Sequence, residues 1–225
     1  MKICHLLSDV LNTNGSRGNV DCLALRLRLR GLGVEVSCLP MGGSLNPSDF
    51  DLIYLGAGHG EPSAALAREL CRLGPELSAY AENGGVILAV CEGFELLGKT
   101  VTRADGVVLT CASVLDMCVT YGSERLTGDY SFDCGADIGR VVAFRNHAGR
   151  VSLGASLSPL GMTPEGEAEG ARHKNVFGSY GHGPLLPKNP RLADAILQAA
   201  LGDMPSALDD TLENAAHDFM ERRLS

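Results

Sequence analysis

The chain has 225 residues, 45% of them hydrophobic and 20% charged, with a net charge of −8 at pH 7. That is enough apolar sequence for one full core, and the acidic balance excludes a phosphate-backbone partner, because nucleic-acid domains present a basic face. The apolar run in "MKICHLLSDV" is too short for a signal peptide, and no stretch reaches the ~18 uninterrupted apolar residues of a membrane span, so a cytoplasmic protein is expected.

In chain order, "KICHLL" reads as a strand, followed by the polar loop "LNTNGSRGN". "VDCLALRLRLR" combines two signals. Its leucine and arginine residues alternate with the strand period, yet good helix formers, Asn19 as a cap and Gly31 as a stop predict a helix. Arg26, Arg28 and Arg30 are then expected on a solvated surface. "GVEVSCL" and "DLIYLG" read as strands, "PSAALARELCRLGPELSAYAEN" as a helix interrupted near Gly74 and Pro75, and "GGVILAV" as a fourth strand. Short apolar strands alternating with helices predict an α/β fold, a doubly wound, mostly parallel sheet with helices on both faces.

Residues 101–160 break that rhythm, and short strands with turns, completing or decorating the sheet, are expected there. "PEGEAEGARHK" reads as a polar loop, "NVFGSYGH" as a strand, "PRLADAILQAAL" as a helix and residues 206–225 as a charged terminal helix. No repeat or low-complexity linker divides the chain, so residues 1–225 are expected to form a single domain.

Eight cysteines lie in scattered apolar segments, with no C-x-x-C pair and no H-x-x-x-H spacing. This predicts free thiols, most of them small buried hydrophobes, and no metal site.

Chemistry in such sheets gathers at the carboxyl ends of the strands. "LGAGHGEP", "VCEGF" and "YGHGP" all fall at predicted strand ends. A-V-C-E-G is similar to a nucleophile elbow, with Cys91 on a tight turn, Gly93 relieving crowding, and a helix start favouring thiolate. The amide of Glu92 and one from Gly56 to Gly58 are candidate oxyanion donors, and His182 is the candidate base. Read alone, a cysteine with a distant histidine is weak evidence, and a buried thiol and a packed imidazole are the commoner explanation.

Six motifs add to this pattern: "LNTNGSRGN", "LGAGHG", "VCEGFELLG", "SERLTGD", "FRNHAGR" and "KNVFGSYGHGPLLPKNP". Through them the chain resembles the class I glutamine amidotransferases of the cobyric-acid-synthase-like group, and within it the glutaminase subunits that work on lipid II with a Mur-ligase-like (MurT-type) synthase subunit. The resemblance implies a glutaminase in which Cys91 is the nucleophile, His182 the base and Arg125 a glutamine contact. It implies no cofactor in this chain, ATP being used by the partner to activate the acceptor carboxylate, and no G-x-x-x-x-G-K-[ST] loop occurs here.

The chain departs from that family at three places. H-G-P follows the histidine where many relatives carry a glutamate two residues on, so a partner carboxylate is expected to orient His182. C-E-G-F-E replaces C-G-G-[FY]-Q, putting Glu92 and Glu95 near the thiol, and "GAGHGEP" replaces a G-G-G-Q-D loop. Two carboxylates there raise a thiol's pKa and repel the carboxylate of glutamine. If both point to solvent, a working glutaminase follows. If both line the pocket, a DJ-1/PfpI-like hydrolase, a site for another amide, or a silent binding or regulatory subunit gains. His59 and His147 are the other candidates near the site, each with a structural alternative, and Tyr180 is expected to pack beside the His182 loop.

Overall fold

The computed structural model describes residues 1–224, and the elements given are those of the described residues. The first half of the chain contains β1 (Lys2–Leu6), α1 (Gly18–Leu29), β2 (Glu35–Leu39), β3 (Leu52–Leu55), α2 (Ala64–Glu82), β4 (Val86–Val90) and α3 (Glu92–Glu95). Next come β5 (Thr100–Thr102), β6 (Val108–Thr110), β7 (Met117–Asp133), β8 (Arg140–Leu153), β9 (Gly161–Met162), β10 (Ala168–Glu169), β11 (Ala171–His173) and β12 (Val176–Ser179). α4 (Pro190–Leu201) and α5 (Thr211–Arg223) close the chain. No helix among the described residues is long and apolar enough to cross a membrane.

The main sheet has the order β11-β12-β4-β3-β1-β2 and is parallel except at its β11 edge. β3, β4 and β12 are buried at every position, which is why their sequences read as unbroken apolar runs. One face is covered by α2 through Leu66, Leu70, Leu73 and Leu77, the other by α1 and α4 through Leu23, Leu27, Leu192 and Ile196. The predicted doubly wound architecture is therefore present.

α2 runs unbroken through Pro75 instead of stopping near it. The proline costs one main-chain hydrogen bond, but the apolar stripe continues on both sides of it, and Gly74 lets the helix close on the carbonyl of Ala112.

The alternating leucine and arginine residues of α1 resolve into two surfaces. Leu23 and Leu27 enter the core, while Leu25 and Leu29 stay exposed. Arg26 and Arg30 are not on a solvated surface: Arg26 binds Asp194 and Asp210 with both edges of its guanidinium, and Arg30 binds Asp194 at 2.7 Å. Two carboxylates from later in the chain draw these groups inward, and only Arg28 remains exposed. Asn19 is buried inside the helix instead of capping it; its amide binds the Tyr54 hydroxyl and the main chain of Leu186.

The largest departure is in residues 101–160. β7 and β8 form one long antiparallel ribbon in a separate second sheet, ordered β10-β9-β7-β5-β6 with β8 on β7, in place of short decorating strands. Its register is broken between Tyr121 and Leu126. Val119 and Met117 pack into the α2-side core and Phe132 and Val141 into the other. The expected loop at 164–174 holds β10 and β11, and the terminal helix starts at Thr211 rather than 206. Only Cys4 and Cys111 are fully buried; Cys22 and Cys134 pack half-buried against the core, while Cys38, Cys71 and Cys118 are exposed, so fewer cysteines are buried than expected.

Candidate active site

Cys91 follows the last residue of β4 directly and has φ 50° and ψ −120°, a conformation that side-chain-bearing residues rarely adopt. Main-chain bonds hold it there: its N–H donates to the Ser179 carbonyl at 2.8 Å, and its carbonyl accepts from Glu95 at 3.0 Å. Gly93 N–H donates to Gly56 O at 3.1 Å, and a Cβ on Gly93 would lie 2.7 Å from that oxygen, so a larger residue would push the turn off β3. This is the elbow the sequence suggested.

The loop after β3 forms the opposite lip. Thr13 N–H binds Ala57 O at 2.9 Å, the Thr13 hydroxyl binds Gly58 O, and Ala57 N–H donates to the Ser16 hydroxyl at 2.9 Å. The "LNTNGSRGN" motif is thus the cradle of the glycine loop. With the Ala57 amide committed, the main-chain N–H groups of Gly58 and Glu92 have no backbone acceptor among the described residues and remain available. Gly56 lies behind the lip as scaffold.

A cavity of about 290 Å³ opens between these parts, and Gly58, Cys91, Glu92, Glu95, Arg125 and His182 share its lining. Arg125 reaches it from the irregular stretch of β7, where its guanidinium binds the side chain and carbonyl of Asn146. His182 is buried, donates its main-chain N–H to Phe144 O at 3.0 Å, and packs edge-on against the Phe144 ring. Its Nδ1 is buried without a partner among the described residues. Burial, with Lys188 and Arg125, lowers its pKa, so the ring is neutral and able to accept a proton near pH 7.

The thiol is not activated as the elbow alone suggested. Burial first, then the Glu95, Glu169 and Glu92 carboxylates, push Cys91 well above the usual thiol range. One turn of helix, α3, does not offset them, and the protonated Sγ donates to Tyr180 O at 3.3 Å. Glu92 and Glu95 both turn inward. A Cβ on Gly58 would overlap the Glu92 carboxyl, whose Oε2 is buried without a partner among the described residues, and desolvation pushes this acid up to about 7. Glu95 Oε2 lies 2.7 Å from Tyr121 OH, its Oε1 accepts from Tyr180 OH at 2.9 Å, and the acid is pushed up to about 8, chiefly by burial.

Residues 2–190 match the CobB/CobQ-like glutamine amidotransferase domain. The chain belongs to this family. It is 32% identical over 205 residues to the lipid II isoglutaminyl synthase (glutamine-hydrolyzing) subunit GatD of Staphylococcus aureus, covering 89% of this chain and 84% of that protein. The GatD subunit of Streptococcus pneumoniae is 30% identical over 209 residues, covering 89% and 80%. A crystal structure of a glutamine amidotransferase superposes with a TM-score of 0.62 at 16% identity, covering 88% of this chain and 98% of that one, which shows a shared fold.

Within this amidotransferase, the inward turn of both acids is the arrangement that counts against an ordinary glutamine pocket. Their raised pKa values temper it, because a neutral acid does not repel a substrate carboxylate. His59 is exposed at the rim. His147 lies flat on Tyr180, ring centroids 3.6 Å apart, and burial lowers its pKa to about 4; its Nδ1 meets Gly149 O at 2.9 Å. Tyr180 packs beside the His182 loop as expected and also binds Glu95. Thr13, Ser16, Tyr121 and Asn146 went unassigned in the sequence. For the first two the polar motif before α1 carried a signal; Tyr121 and Asn146 meet the site only through the β7–β8 ribbon.

Proposed function

We propose that this chain is a glutaminase subunit acting in the cytoplasm as GatD does, releasing ammonia from glutamine for a Mur-ligase-like partner that amidates the D-glutamate of lipid II. The observation that carries the reading is the strained Cys91 turn opening into one cavity with His182 and the Gly58 and Glu92 amides. His182 takes the thiol proton as Sγ attacks the carboxamide carbon of glutamine, and the two amides hold the oxyanion. The imidazolium then protonates the leaving nitrogen, ammonia departs, and the glutamyl thioester remains on Cys91. Water, deprotonated by His182, hydrolyses the thioester to glutamate and restores the thiol.

Arg125 receives the α-carboxylate of glutamine. The unpartnered Nδ1 of His182 supports an orienting carboxylate supplied by the synthase subunit. ATP is bound and consumed in that partner, and this chain needs no cofactor.

The buried acids favour a second reading, in which the pocket is silent or takes another amide. A diazo-ketone analogue of glutamine separates the two, with intact-mass and peptide mapping as readout. Glutamine-protected labelling at Cys91, absent in Cys91→Ala, supports the glutaminase. No labelling at Cys91 at any pH between about 6 and 9, with the Mur-ligase-like partner present, sinks it and leaves the silent or retuned subunit.

A further inference from the structure

The proton count around Glu95 carries an inference about how the glycine lip is held. Three contacts meet there: Tyr180 OH with Glu95 Oε1 at 2.9 Å, Tyr121 OH with Glu95 Oε2 at 2.7 Å, and Tyr121 OH with the Gly60 carbonyl at 3.2 Å. A tyrosine hydroxyl has one proton to donate. An ionised Glu95 has none, so the Tyr121 proton goes to the carboxylate and the Gly60 carbonyl loses its donor. A neutral Glu95 supplies the missing proton: Oε2–H donates to the Tyr121 oxygen, Tyr121 donates to Gly60 O, and Tyr180 donates to Oε1. All three contacts are then satisfied together.

We propose that Glu95 is a positioning residue whose carboxyl proton, relayed through Tyr121, fastens the Gly58–Gly60 lip beside Cys91 and so places the Gly58 amide for the oxyanion. The last clause rests on the glutaminase reading; the fastening of the lip does not.

The surroundings favour the neutral form. Glu95 is buried at 1% exposure, and β8 comes close enough that a Cβ on Gly149 would overlap its Oε1. The charged and titratable groups facing it are Cys91 and Glu92 at the elbow, Glu61 and His59 from the lip, Cys111 after β6, Tyr121 and Arg125 from β7, His147 and Arg150 from β8, and Tyr180 and His182 after β12. Glu61 is paired with Arg103, and Arg150 donates to the Gly149 carbonyl. No cation contacts the Glu95 oxygens among the described residues. Its pKa, pushed up to about 8, puts the proton on the carboxyl at neutral pH and off it in mild alkali.

Hydrogen exchange of the peptide covering residues 57–61, corrected for the intrinsic pH dependence of exchange, tests this directly. In the wild type the protection falls roughly tenfold between about pH 6 and pH 9.5, as one hydrogen bond is lost. Glu95→Gln keeps its protection flat, because the glutamine amide donates to Tyr121 at every pH. Tyr121→Phe sits at the released level throughout. Glu92→Gln retains the wild-type fall.

The proposal is overturned if the wild type is flat, if Glu95→Gln falls as the wild type does, or if the fall disappears in Glu92→Gln. Should Tyr121→Phe fail to fold, the two glutamine variants still decide. Labelling of Cys91 by the diazo-ketone analogue is read in the same samples. The expected exchange pattern without labelling removes the glutaminase reading and leaves the relay standing, whereas glutamine-protected labelling with flat exchange removes the relay alone.

Discussion

The two walls of the Cys91 cavity are built differently. The nucleophile wall is made of main chain: a strained turn bonded to Ser179 and Gly56, and a glycine lip bonded to Thr13 and Ser16. The facing wall is made of side chains, Glu92 and Glu95 with Tyr121, Tyr180 and His147, whose hydrogen bonds depend on who holds a proton. Main-chain geometry tolerates change of neighbouring side chains, so the elbow keeps its shape while the chemistry around it departs from C-G-G-[FY]-Q. The first wall sets where the sulfur is, and the second sets how hard it is to ionise.

The walls meet at Gly58, and the largest effect on activity is expected there. A methyl group on Gly58 would overlap the Glu92 carboxyl, so Gly58→Ala must displace either the lip or the acid. A displacement of about 1 Å in an oxyanion donor costs roughly 100-fold in kcat/KM for glutamine. Glu92→Gly removes the obstacle, and the Gly58→Ala/Glu92→Gly pair should recover most of that loss. A double mutant as poor as Gly58→Ala alone would mean that the lip is damaged by the alanine itself, and that the two walls are independent.

Arg125 offers a smaller test. It is exposed at the cavity mouth and tied to Asn146, so Arg125→Ala tests the proposed substrate contact without opening the core. Steady-state glutaminase kinetics with the partner present should show KM for glutamine raised roughly tenfold with kcat little changed, the worth of one charge-assisted hydrogen bond. An equal fall in kcat would move Arg125 from substrate binding to the reaction itself.

The sequence carried unequal information about the two walls. β3, β4 and the Cys91 turn were readable because an apolar run ending in a glycine-flanked cysteine is a local pattern with a local cause. The acid wall depends on contacts distant in sequence: Tyr121 and Asn146 arrive through a ribbon whose middle, "YGSERLTGD", is polar and glycine-bearing and reads as a turn. It continues as strand because β8 pairs with it on either side of the irregularity between Tyr121 and Leu126, which no local signal announces. The same limit applies to Arg26 and Arg30, whose partners Asp194 and Asp210 lie more than 160 residues away. Glu92 and Glu95 were visible as departures, but their burial, and with it their neutral form, follows from Gly58, Gly149 and two tyrosines coming together.

The remaining expected effect is on the stability of the acid wall itself. Glu95 moves from an ordinary value of 4.5 to about 8 on folding. Between those values the folded chain holds a proton that the unfolded chain has lost, so stability falls as pH rises through that window; the penalty is absent below it and complete above it. Glutamine at this position does not titrate and can make the same three contacts. Urea unfolding should therefore find Glu95→Gln and wild type similar at about pH 4.5, and Glu95→Gln more stable by roughly 4–5 kcal/mol at pH 8.5. Glu92 and Cys91 titrate in both proteins and cancel from the difference to the extent that they do not couple to Glu95. A gap that is constant with pH would show that Glu95 is ionised in the folded chain, and the facing wall would then be as fixed in charge as the nucleophile wall is in shape.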